Sequence, residues 1–230
     1  MSKIAIIPAR SGSKRIKNKN IKHFSGKPII AYSIEIALQC GLFDEVMVST
    51  DNKEIAAISI KYGAKVPFLR SEKNSDDYAT TSDVIFEVLE SYEKLGKYFD
   101  YACCIYATAP LLSSQKLVDA NSLIQKDTTD CVFPVVKTDF PIQRSLKIDE
   151  KQNASMFYPE HRNSRSQDLE AAYYDAGQFY FLRLSEFKNS KTLWPIKTKT
   201  IILKSSEAQD IDNEADWQLA ELKYKVLNKQ

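Results

Sequence analysis

The sequence predicts an α/β fold, in which helices cover both faces of a mostly parallel β-sheet. Through the first two-thirds of the chain, short apolar segments that match strands alternate with segments whose apolar residues recur at helical spacing. The apolar segments are nearly continuous, which is typical of parallel strands buried on both faces. Regular alternation of such strands with helices therefore predicts a parallel sheet between two helical layers.

The predicted elements of the first half follow one another closely. The strand KIAIIPA precedes the helix PIIAYSIEIALQCG, which Pro28 opens and Gly41 ends. The strand EVMVST precedes the helix NKEIAAISIKYGA, which ends at Gly63. VPFLR is predicted as a short strand, and SDVIFEVLESYEKLG as a helix that Gly96 ends.

The second half continues this alternation and then interrupts it. DYACCIYAT and DCVFPVVK are predicted strands on either side of the helix SSQKLVDANSLIQK. Residues 138–176 are polar, with only RSLKI and ASMFY as short strand candidates, which indicates an inserted arm in a single domain of residues 1–230. GQFYFLRL and TKTIILK resume strand character, and DNEADWQLAELKYKVL is a final helix capped at Asp212 or Asn213.

The charge distribution favours a site for a compact anion. The net charge is only +2, which gives no indication of a nucleic-acid-binding protein. Residues 1–30 contain eight Lys and Arg and no acid, so the remaining residues carry 24 bases against 30 acids, a net charge of −6. Positive charge that is so local suits a small polyanion better than a long nucleic acid.

Targeting and cysteine patterns predict a cytoplasmic protein. The first apolar segment is short and is interrupted by Pro8, so no signal peptide is expected. No segment approaches the roughly 20 apolar residues that a membrane span needs. The cysteines have no CxxC spacing, and buried free thiols are the favoured interpretation. They are Cys40, Cys103, Cys104 and Cys131.

The loop after the first strand is predicted to bind a polyphosphate. Ligands bind beyond the carboxyl ends of parallel strands, and this loop lies there. Small residues at 11–13 allow backbone N–H groups to approach an anion, while Arg10 can form paired hydrogen bonds with phosphate oxygens and Lys14 and Lys19 supply mobile charges. Neither the GxGxxG pattern nor the GxxxxGK[ST] pattern is present. A solvated basic loop is the alternative.

A pair of carboxylates near the end of the chain predicts a metal site. Asp210 and Asp212 alternate across Ile211, so in an extended backbone both side chains lie on the same face. Neighbouring carboxylates repel one another unless a cation lies between them, and oxygen ligands suit Mg²⁺. The alternative is a helix N-terminus at which acids are favoured by the helix dipole.

Two further polar patches are weaker signals. Tyr106 and Thr108 follow the strand DYACCIYAT and so lie at the predicted ligand-binding edge. The polar arm could bind a polyhydroxylated acid, form a dimer interface, or be a surface loop. Its polar candidates, with one that follows the arm, are Gln143, Arg144, His161, Arg162, Arg165 and Gln178.

Together these stretches resemble the CMP-sugar-acid synthetases, the cytidylyltransferases that activate sialic acids and their relatives. The resemblance rests on IPARSGSKRIKNKNIKHFSGKPIIAYSI, FDEVMVSTDNKEIA, YGAKVPFLR and DIDNEADWQLAE, and it covers almost the whole chain. Within that family, CCIYATAPLL, FPIQRSLKID and MFYPEHRNSRSQDLEAAYYDAGQFY are similar to the pseudaminic acid cytidylyltransferases.

The resemblance implies a three-layer, Rossmann-like nucleotidyltransferase fold with an inserted dimerisation arm. It implies that CTP reacts with a nonulosonic acid, pseudaminic acid in particular, to give the CMP-sugar and pyrophosphate, with Mg²⁺ as cofactor. It also implies a homodimer in which the arm helps to complete the partner's sugar site. Neither a nucleic acid nor a membrane is an expected partner.

The resemblance also assigns roles to individual residues. Those implied for catalysis and phosphate binding are Arg10, Lys14, Lys19, Asp210 and Asp212, and the two aspartates match the family's Mg²⁺-binding DxD motif. Those implied for nucleotide binding are Ala9, Arg10, Ser11, Asn20, Arg70 and Thr80 or Thr81. Those implied for sugar binding are Tyr106, Gln143, Arg165 and Gln178, with Arg165 binding the sugar carboxylate in its own or the partner subunit.

One departure from the family bears on the substrate. Sialic acid synthetases commonly carry QPTSP where this chain has YATAP, so Tyr106 replaces a Gln associated with the sugar pocket. The Kdo (3-deoxy-manno-octulosonate) synthetases carry a metal-binding Asp after this strand, and residues 106–109 contain none. N-acetylneuraminic acid, legionaminic acid and Kdo remain alternative substrates, and a catalytically silent nucleotide-binding module is the alternative of another class.

Overall fold

The computed structural model describes residues 1–126 and 128–228. The strands are β1 (Lys3–Pro8), β2 (His23–Phe24), β3 (Lys27–Pro28), β4 (Glu45–Ser49), β5 (Tyr101–Ile105), β6 (Cys131–Lys137), β7 (Leu146–Ile148), β8 (Ala154–Met156), β9 (Tyr173–Asp175), β10 (Phe179–Arg183) and β11 (Thr198–Leu203). The helices are α1 (Ile29–Gln39), α2 (Lys53–Lys61), α3 (Thr81–Lys94), α4 (Ser114–Ile124), α5 (Leu184–Ser190) and α6 (Glu214–Leu227).

The described residues form a central sheet in the order β11-β6-β10-β5-β1-β4, with β9 also paired to β6. β1 is parallel to β4 and β5, and β11 is parallel to β6. β10 is antiparallel to both of its neighbours, β5 and β6, and β9 is antiparallel to β6. The sheet is therefore mixed but mostly built from parallel strands, which confirms the predicted fold class.

Side chains of β1 show how the three layers are held together. Ala5 and Ile7 pack in one buried cluster with residues of α1, α2 and α4, while Ile4 and Ile6 pack in another with residues of α3 and α5. Because successive residues of a strand point to opposite faces, this single apolar strand contributes to both cores. Both faces of the sheet are thus covered by helices.

One local prediction was wrong, and one short helix was missed. VPFLR forms no strand; the adjacent Lys65 makes only an isolated bridge to Met47. Pro67 has no N–H to donate to a ladder, so the chain leaves the sheet there. The helix α5 was not predicted, because its seven residues follow β10 directly and are too few to show a clear helical period.

Helix caps match their sequence signals. Asn52 accepts backbone hydrogen bonds at the start of α2, and Thr80 forms a capping box with Asp83 at the start of α3. Asn213, rather than Asp212, caps α6, in a capping box with Asp216. Since Asn213 caps the helix, the side chain of Asp212 remains available for other contacts.

A third buried cluster joins the loop after β1 to the segment before α6. Ile16 from the loop and Ile211 from that segment both pack with Phe24 and Trp217. Phe24 and Trp217 meet edge to face at 5.6 Å between ring centroids. This cluster brings together two segments that are about 190 residues apart in sequence.

The arm, residues 138–176, consists of short elements. β7 and β8 pair as an antiparallel hairpin, and β9 returns the chain to the central sheet beside β6. Several large apolar side chains of the arm are exposed, and these are Phe140, Ile142, Leu146, Ile148, Phe157, Tyr158, Tyr173 and Tyr174.

The described cysteines are free thiols, three of them buried. Burial raises the pKa of Cys104 to about 12, so this thiol is protonated at neutral pH. No helix among the described residues has the length and apolar character needed to cross a membrane.

Candidate active site

The loop after β1 is anchored to the carboxyl end of β4. The N–H of Ala9, which is buried, donates to Ser49 O at 2.9 Å. Ser11 donates to the Asp51 carboxylate through both its N–H, at 2.9 Å, and its Oγ, at 2.6 Å. Burial alone would raise the pKa of Asp51, but these hydrogen bonds outweigh it and hold the pKa below its usual value. Ala9 and Ser11 therefore fix the start of the loop.

A cavity of about 390 Å³ lies over this loop at the carboxyl ends of β1 and β5. Residues from the loop form one wall, and residues that follow β5 form another. The lining residues are Pro8, Arg10, Ser13, Lys14, Arg15, Lys19, Asn20, Asp77, Tyr106, Ala107, Thr108 and Asp212. The cavity is lined by four cationic side chains and two carboxylates, as a site for a multiply charged anion and a cation requires.

Arg10 and Lys14 both contact one acid of the segment before α3. Arg10 Nη1 lies 2.9 Å from Asp77 Oδ1 and donates to Asp76 O at 2.5 Å. Lys14 Nζ forms an ion pair with Asp77 Oδ2. The hydrogen bonds from Lys14 and Arg10 hold the pKa of Asp77 below its usual value, so Asp77 is ionised at neutral pH.

Asn20 and Lys19 are placed by a left-handed residue. Asn18 has φ +52°, which Asn tolerates better than most residues, and its carbonyl accepts from the N–H groups of Ile21 and Lys22. This turn directs Asn20 Nδ2 to Arg10 O at 2.9 Å, which braces the loop. Burial lowers the pKa of Lys19, and the Asp212 and Asp210 carboxylates oppose that shift.

Asp212 lines the same cavity, and Asp210 lies close enough to Asp212 and Lys19 for their charges to interact. Ile211 between them is fully buried, and the two carboxylates are close enough to repel one another. Asp212 Oδ1 lies 2.6 Å from Arg15 Nη2 and 3.9 Å from Lys19 Nζ. No described side chain forms a hydrogen bond or ion pair with the Asp210 carboxylate, and desolvation and repulsion from Asp212 raise its pKa.

These two carboxylates fit a divalent cation. Their mutual repulsion would be relieved by a metal ion, and oxygen donors are what Mg²⁺ prefers. Among the described residues no group of three or more His, Cys, Asp and Glu side chains is arranged to hold a metal. Mg²⁺ usually takes only one or two carboxylates and completes its shell with water and substrate phosphates. A pair beside a cationic cavity therefore suits Mg²⁺.

Tyr106 lies between the cavity and the neighbouring strand β10. Its hydroxyl is 3.2 Å from Thr81 Oγ1, and its ring meets Tyr180 edge to face at 6.0 Å. The Tyr180 hydroxyl in turn donates to the Asp175 carboxylate. Burial raises the pKa of Tyr106 to about 12, so it acts as a neutral hydrogen-bonding group. Of the two alternatives, Thr81 is thus the threonine that contacts a cavity residue, while Thr80 caps α3.

Two other predicted site residues do not line this cavity. Arg70 is buried behind the end of β4, where its Nε donates to Ser49 Oγ at 3.0 Å. Gln178 is buried beside β5, and its Nε2 donates to Glu207 O at 2.6 Å. Gln178 lines a different cavity of about 380 Å³ between α1, α4 and α6. Gln178 is therefore directed away from the loop after β1, whereas Arg70 supports the start of the loop from behind, since it also donates to Ser49 O, the carbonyl that holds Ala9.

The predicted sugar-binding residues of the arm also lie outside the cavity within one chain. Gln143 Nε2 donates to Glu170 O at 3.0 Å. Arg165 forms a two-point ion pair with Asp168, with Nε 2.7 Å from Oδ2, and its side chain is 72% exposed. Neither residue meets Tyr106 or Arg10 in the described chain.

Sequence reasoning missed several residues of the site. Asp51 could have been found, because it follows the carboxyl end of β4. Asp77 and Arg15 carried no such signal, since their contacts join segments distant in sequence.

Comparison with known proteins shows which family the chain resembles. The chain is 41% identical to a pseudaminic acid cytidylyltransferase from Campylobacter jejuni, over 98% of this chain and 97% of that protein. It is 33% identical to a CMP-N,N'-diacetyllegionaminic acid synthase from Legionella pneumophila, over 95% of this chain and 94% of that protein.

A solved structure shares the fold. CMP:2-keto-3-deoxy-manno-octonic acid synthetase, determined in complex with CTP, superposes with a TM-score of 0.71 over the full length of both chains at 17% identity. The sequence profile of the family described as Cytidylyltransferase matches residues 4–216. With the cationic loop, the fold and this match in agreement, the chain belongs to the cytidylyltransferase family.

Proposed function

We propose that this protein is a pseudaminic acid cytidylyltransferase, which converts CTP and pseudaminic acid to CMP-pseudaminic acid and pyrophosphate. The observation that carries the proposal is the cavity lined by Arg10, Lys14, Lys19 and Asp212, with Asp210 close enough to Lys19 for its charge to raise the pKa of that lysine against the effect of burial. Triphosphate charge matches the three cations, and a divalent cation matches the two acids. The similarity to the Campylobacter jejuni enzyme supports the choice of sugar.

The reaction requires little covalent participation by the protein. The anomeric hydroxyl of the sugar acid attacks the α-phosphorus of CTP and releases its proton to solvent, and the bond from that phosphorus to the bridging oxygen breaks as pyrophosphate leaves. Negative charge grows on the leaving group, so positioned cations contribute most to catalysis. Arg10 and Lys14 would hold the leaving phosphates, and Lys19, the most buried of the three cations, would hold the phosphate nearest the carboxylate pair.

The carboxylate pair would hold Mg²⁺. When bound, this ion would neutralise phosphate charge and stabilise the pyrophosphate as it leaves. Asp212 would exchange its contact with Arg15 for the ion, which requires that Arg15 turn toward solvent or toward a phosphate.

Tyr106 is proposed to contact the sugar. Pseudaminic acid carries an additional acylamino group and a terminal methyl in place of hydroxyls of N-acetylneuraminic acid. Such a ligand favours aromatic surface, which Tyr106 supplies in the cavity and Tyr180 supports by packing edge to face against it. A pocket that lacks partners for the extra hydroxyls rejects the wrong sugar by a factor on the order of 10².

The arm is proposed to pack against a second copy of the chain and form a homodimer. Its exposed apolar side chains, including Phe140 at 83% and Ile148 at 72%, need a covering surface. Arg165 is exposed and lies outside its own chain's cavity, so it would reach the sugar carboxylate in the partner subunit. Most soluble oligomers are two-fold dimers.

The decisive experiment supplies the protein with CTP, Mg²⁺ and each of a panel of nonulosonic acids, and detects CMP-sugars by mass spectrometry. We expect CMP-pseudaminic acid to form most efficiently. The panel contains N-acetylneuraminic acid, Kdo and N,N'-diacetyllegionaminic acid; the last is included because of the Legionella pneumophila relative. Turnover of another member with pseudaminic acid ignored would refute the choice of sugar. CTP binding with no turnover would indicate a silent nucleotide-binding module.

The variant Tyr106→Gln tests the sugar contact separately. We expect a shift of preference toward N-acetylneuraminic acid. The overall rate should be lower, because Gln fills less of the space that the ring of Tyr106 occupies. Arg165→Ala is the matched comparison, since it should weaken binding of every nonulosonic acid through their shared carboxylate and leave the preference unchanged.

A further inference from the structure

Asp77 makes the same contacts to the loop cations that a phosphate would make. Its Oδ1 lies 2.9 Å from Arg10 Nη1, and its Oδ2 pairs with Lys14 Nζ. The carboxylate lines the cavity of about 390 Å³ together with these cations. One acidic side chain thus engages two of the three cations proposed to bind CTP.

The backbone around Asp77 is held in place by separate contacts. Asp76 Oδ1 accepts from the N–H groups of Tyr78, at 2.9 Å, and Ala79, at 2.8 Å. At one end of the segment Thr80 caps α3, and at the other end Ser71 donates to Glu87 of the same helix. Asp77 is therefore presented to the loop by a braced turn and not by a free chain.

Bidentate carboxylates and phosphates bind Arg and Lys through the same N–H groups. Arg10 Nη1 and Lys14 Nζ cannot give their hydrogen bonds to Asp77 and to a polyphosphate at the same time without weakening one of the two sets. A triphosphate or pyrophosphate has more charge and more acceptor oxygens than one carboxylate, so it displaces Asp77 from the two cations. Its affinity for the site is nevertheless lower than it would be if the Asp77 carboxylate were absent.

We propose that Asp77 is an internal counter-ion of the phosphate-binding loop, exchanged for polyphosphate as CTP binds and returning as pyrophosphate leaves. The proposal rests on the proposed function, because it takes Arg10 and Lys14 to bind phosphates. Asp77 acts through these two cations and is a positioning residue: it keeps them directed into the cavity and limits the affinity for the product. Because Asp77 lowers the affinity for pyrophosphate, the product leaves faster and turnover increases.

The test is the variant Asp77→Asn, which keeps the size of the side chain and removes its charge. Titration calorimetry at fixed ionic strength measures the dissociation constants of CTP and of inorganic pyrophosphate. Two exposed ion pairs are lost, so we expect both ligands to bind roughly 3- to 10-fold more tightly. Rapid-mixing measurement of pyrophosphate release should show slower dissociation by a similar factor, a readout that a purely structural role of Asp77 would not produce.

The matched control is Asp76→Asn, which removes the same charge one residue away. Asn retains an oxygen that can accept from the N–H groups of Tyr78 and Ala79, and the Asp76 side chain does not contact Arg10. Its CTP affinity should remain within about twofold of wild type, since long-range interactions between exposed charges are screened.

The outcomes separate this inference from the proposed function. Wild-type protein that bound neither CTP nor pyrophosphate would contradict the proposed function. Wild-type protein that bound both, with affinities that Asp77→Asn left unchanged or weakened, would overturn the counter-ion role alone. An equal increase in the affinity for CTP and pyrophosphate in Asp76→Asn would also overturn it, because the increase would then result from the loss of a negative charge in this segment and not from the loss of the Asp77 contacts. Circular dichroism and thermal unfolding check that both variants are folded.

Discussion

Replacement of Arg10 by Ala gives the sharpest test of the phosphate-binding loop. The side chain makes an ion pair with Asp77 at 2.9 Å and a hydrogen bond to Asp76 O at 2.5 Å, and it is 37% exposed. Contacts this exposed contribute only about 1 kcal/mol to the free energy of unfolding. For a chain of this length such a loss lowers the melting temperature by roughly 2–4 °C, so the variant should fold.

The expected effect on catalysis is much larger. Removing one positioned donor from a centre of developing charge costs roughly 2–4 kcal/mol in transition-state stabilisation. This corresponds to a loss of roughly 30- to 900-fold in kcat/KM for CTP. The assay follows pyrophosphate release at saturating pseudaminic acid and Mg²⁺, with melting temperature measured on the same preparation.

Arg10→Lys is the matched variant for the geometry of this contact. Lysine keeps the charge but has no paired N–H groups, so it should recover only part of the lost activity. Near-wild-type turnover of Arg10→Ala would refute the assignment of the loop as the phosphate site. Equal activity of Arg10→Lys and wild type would show that charge alone is needed and that paired hydrogen bonds are not.

Further predictions concern the metal, the assembly and the stability of the fold. Asp210→Asn and Asp212→Asn should each lower activity sharply, with partial rescue by more Mg²⁺ or by Mn²⁺ and little change in melting temperature; full wild-type activity in EDTA would contradict the metal site. Light scattering should give a dimer for wild type and a monomer with reduced activity for Ile148→Asp, whereas a fully active wild-type monomer would contradict the role of the arm. Glu45 is buried and bonds Lys65 at 2.9 Å and Tyr92 at 3.0 Å. Burial raises the pKa of Glu45, but these hydrogen bonds outweigh it and leave the pKa below its usual value. Its contribution to stability is therefore present above the unfolded-state pKa of about 4.3 and lost as the pH falls through the lower folded-state pKa. The free energy of unfolding, measured with urea at several pH values, should accordingly fall less steeply with decreasing pH in Glu45→Gln than in the wild type. An equally steep fall in both proteins would contradict this account.

The local pattern of residues was sufficient to predict most helices and strands. Helical spacing of apolar residues located α1 to α4, with glycine stops after the first three, and continuous apolar segments located β1, β4, β5 and β6. The position of the loop after β1 was predictable as well, because the chain leaves a parallel strand at the ligand-binding edge. These features depend on neighbours within a few residues, so the sequence carries them directly.

Strand direction and pairing were not predictable from the same patterns. The apolar segment GQFYFLRL is equally compatible with a parallel and an antiparallel strand. Its antiparallel position between β5 and β6 depends on the path of the whole arm. VPFLR has strand-like composition, but Pro67 and the chain's departure after Lys65 prevent pairing.

The site itself depends on contacts between distant segments. Ile16 and Ile211 are buried in the same cluster, and their packing places Lys19 next to Asp212. No local sequence pattern predicts this contact. In the same way the braced turn before α3 brings Asp77 to Arg10, while Gln178 points to another cavity. Residue types and spacing indicate which chemistry a chain can perform, but the packing of its core decides which of those side chains meet.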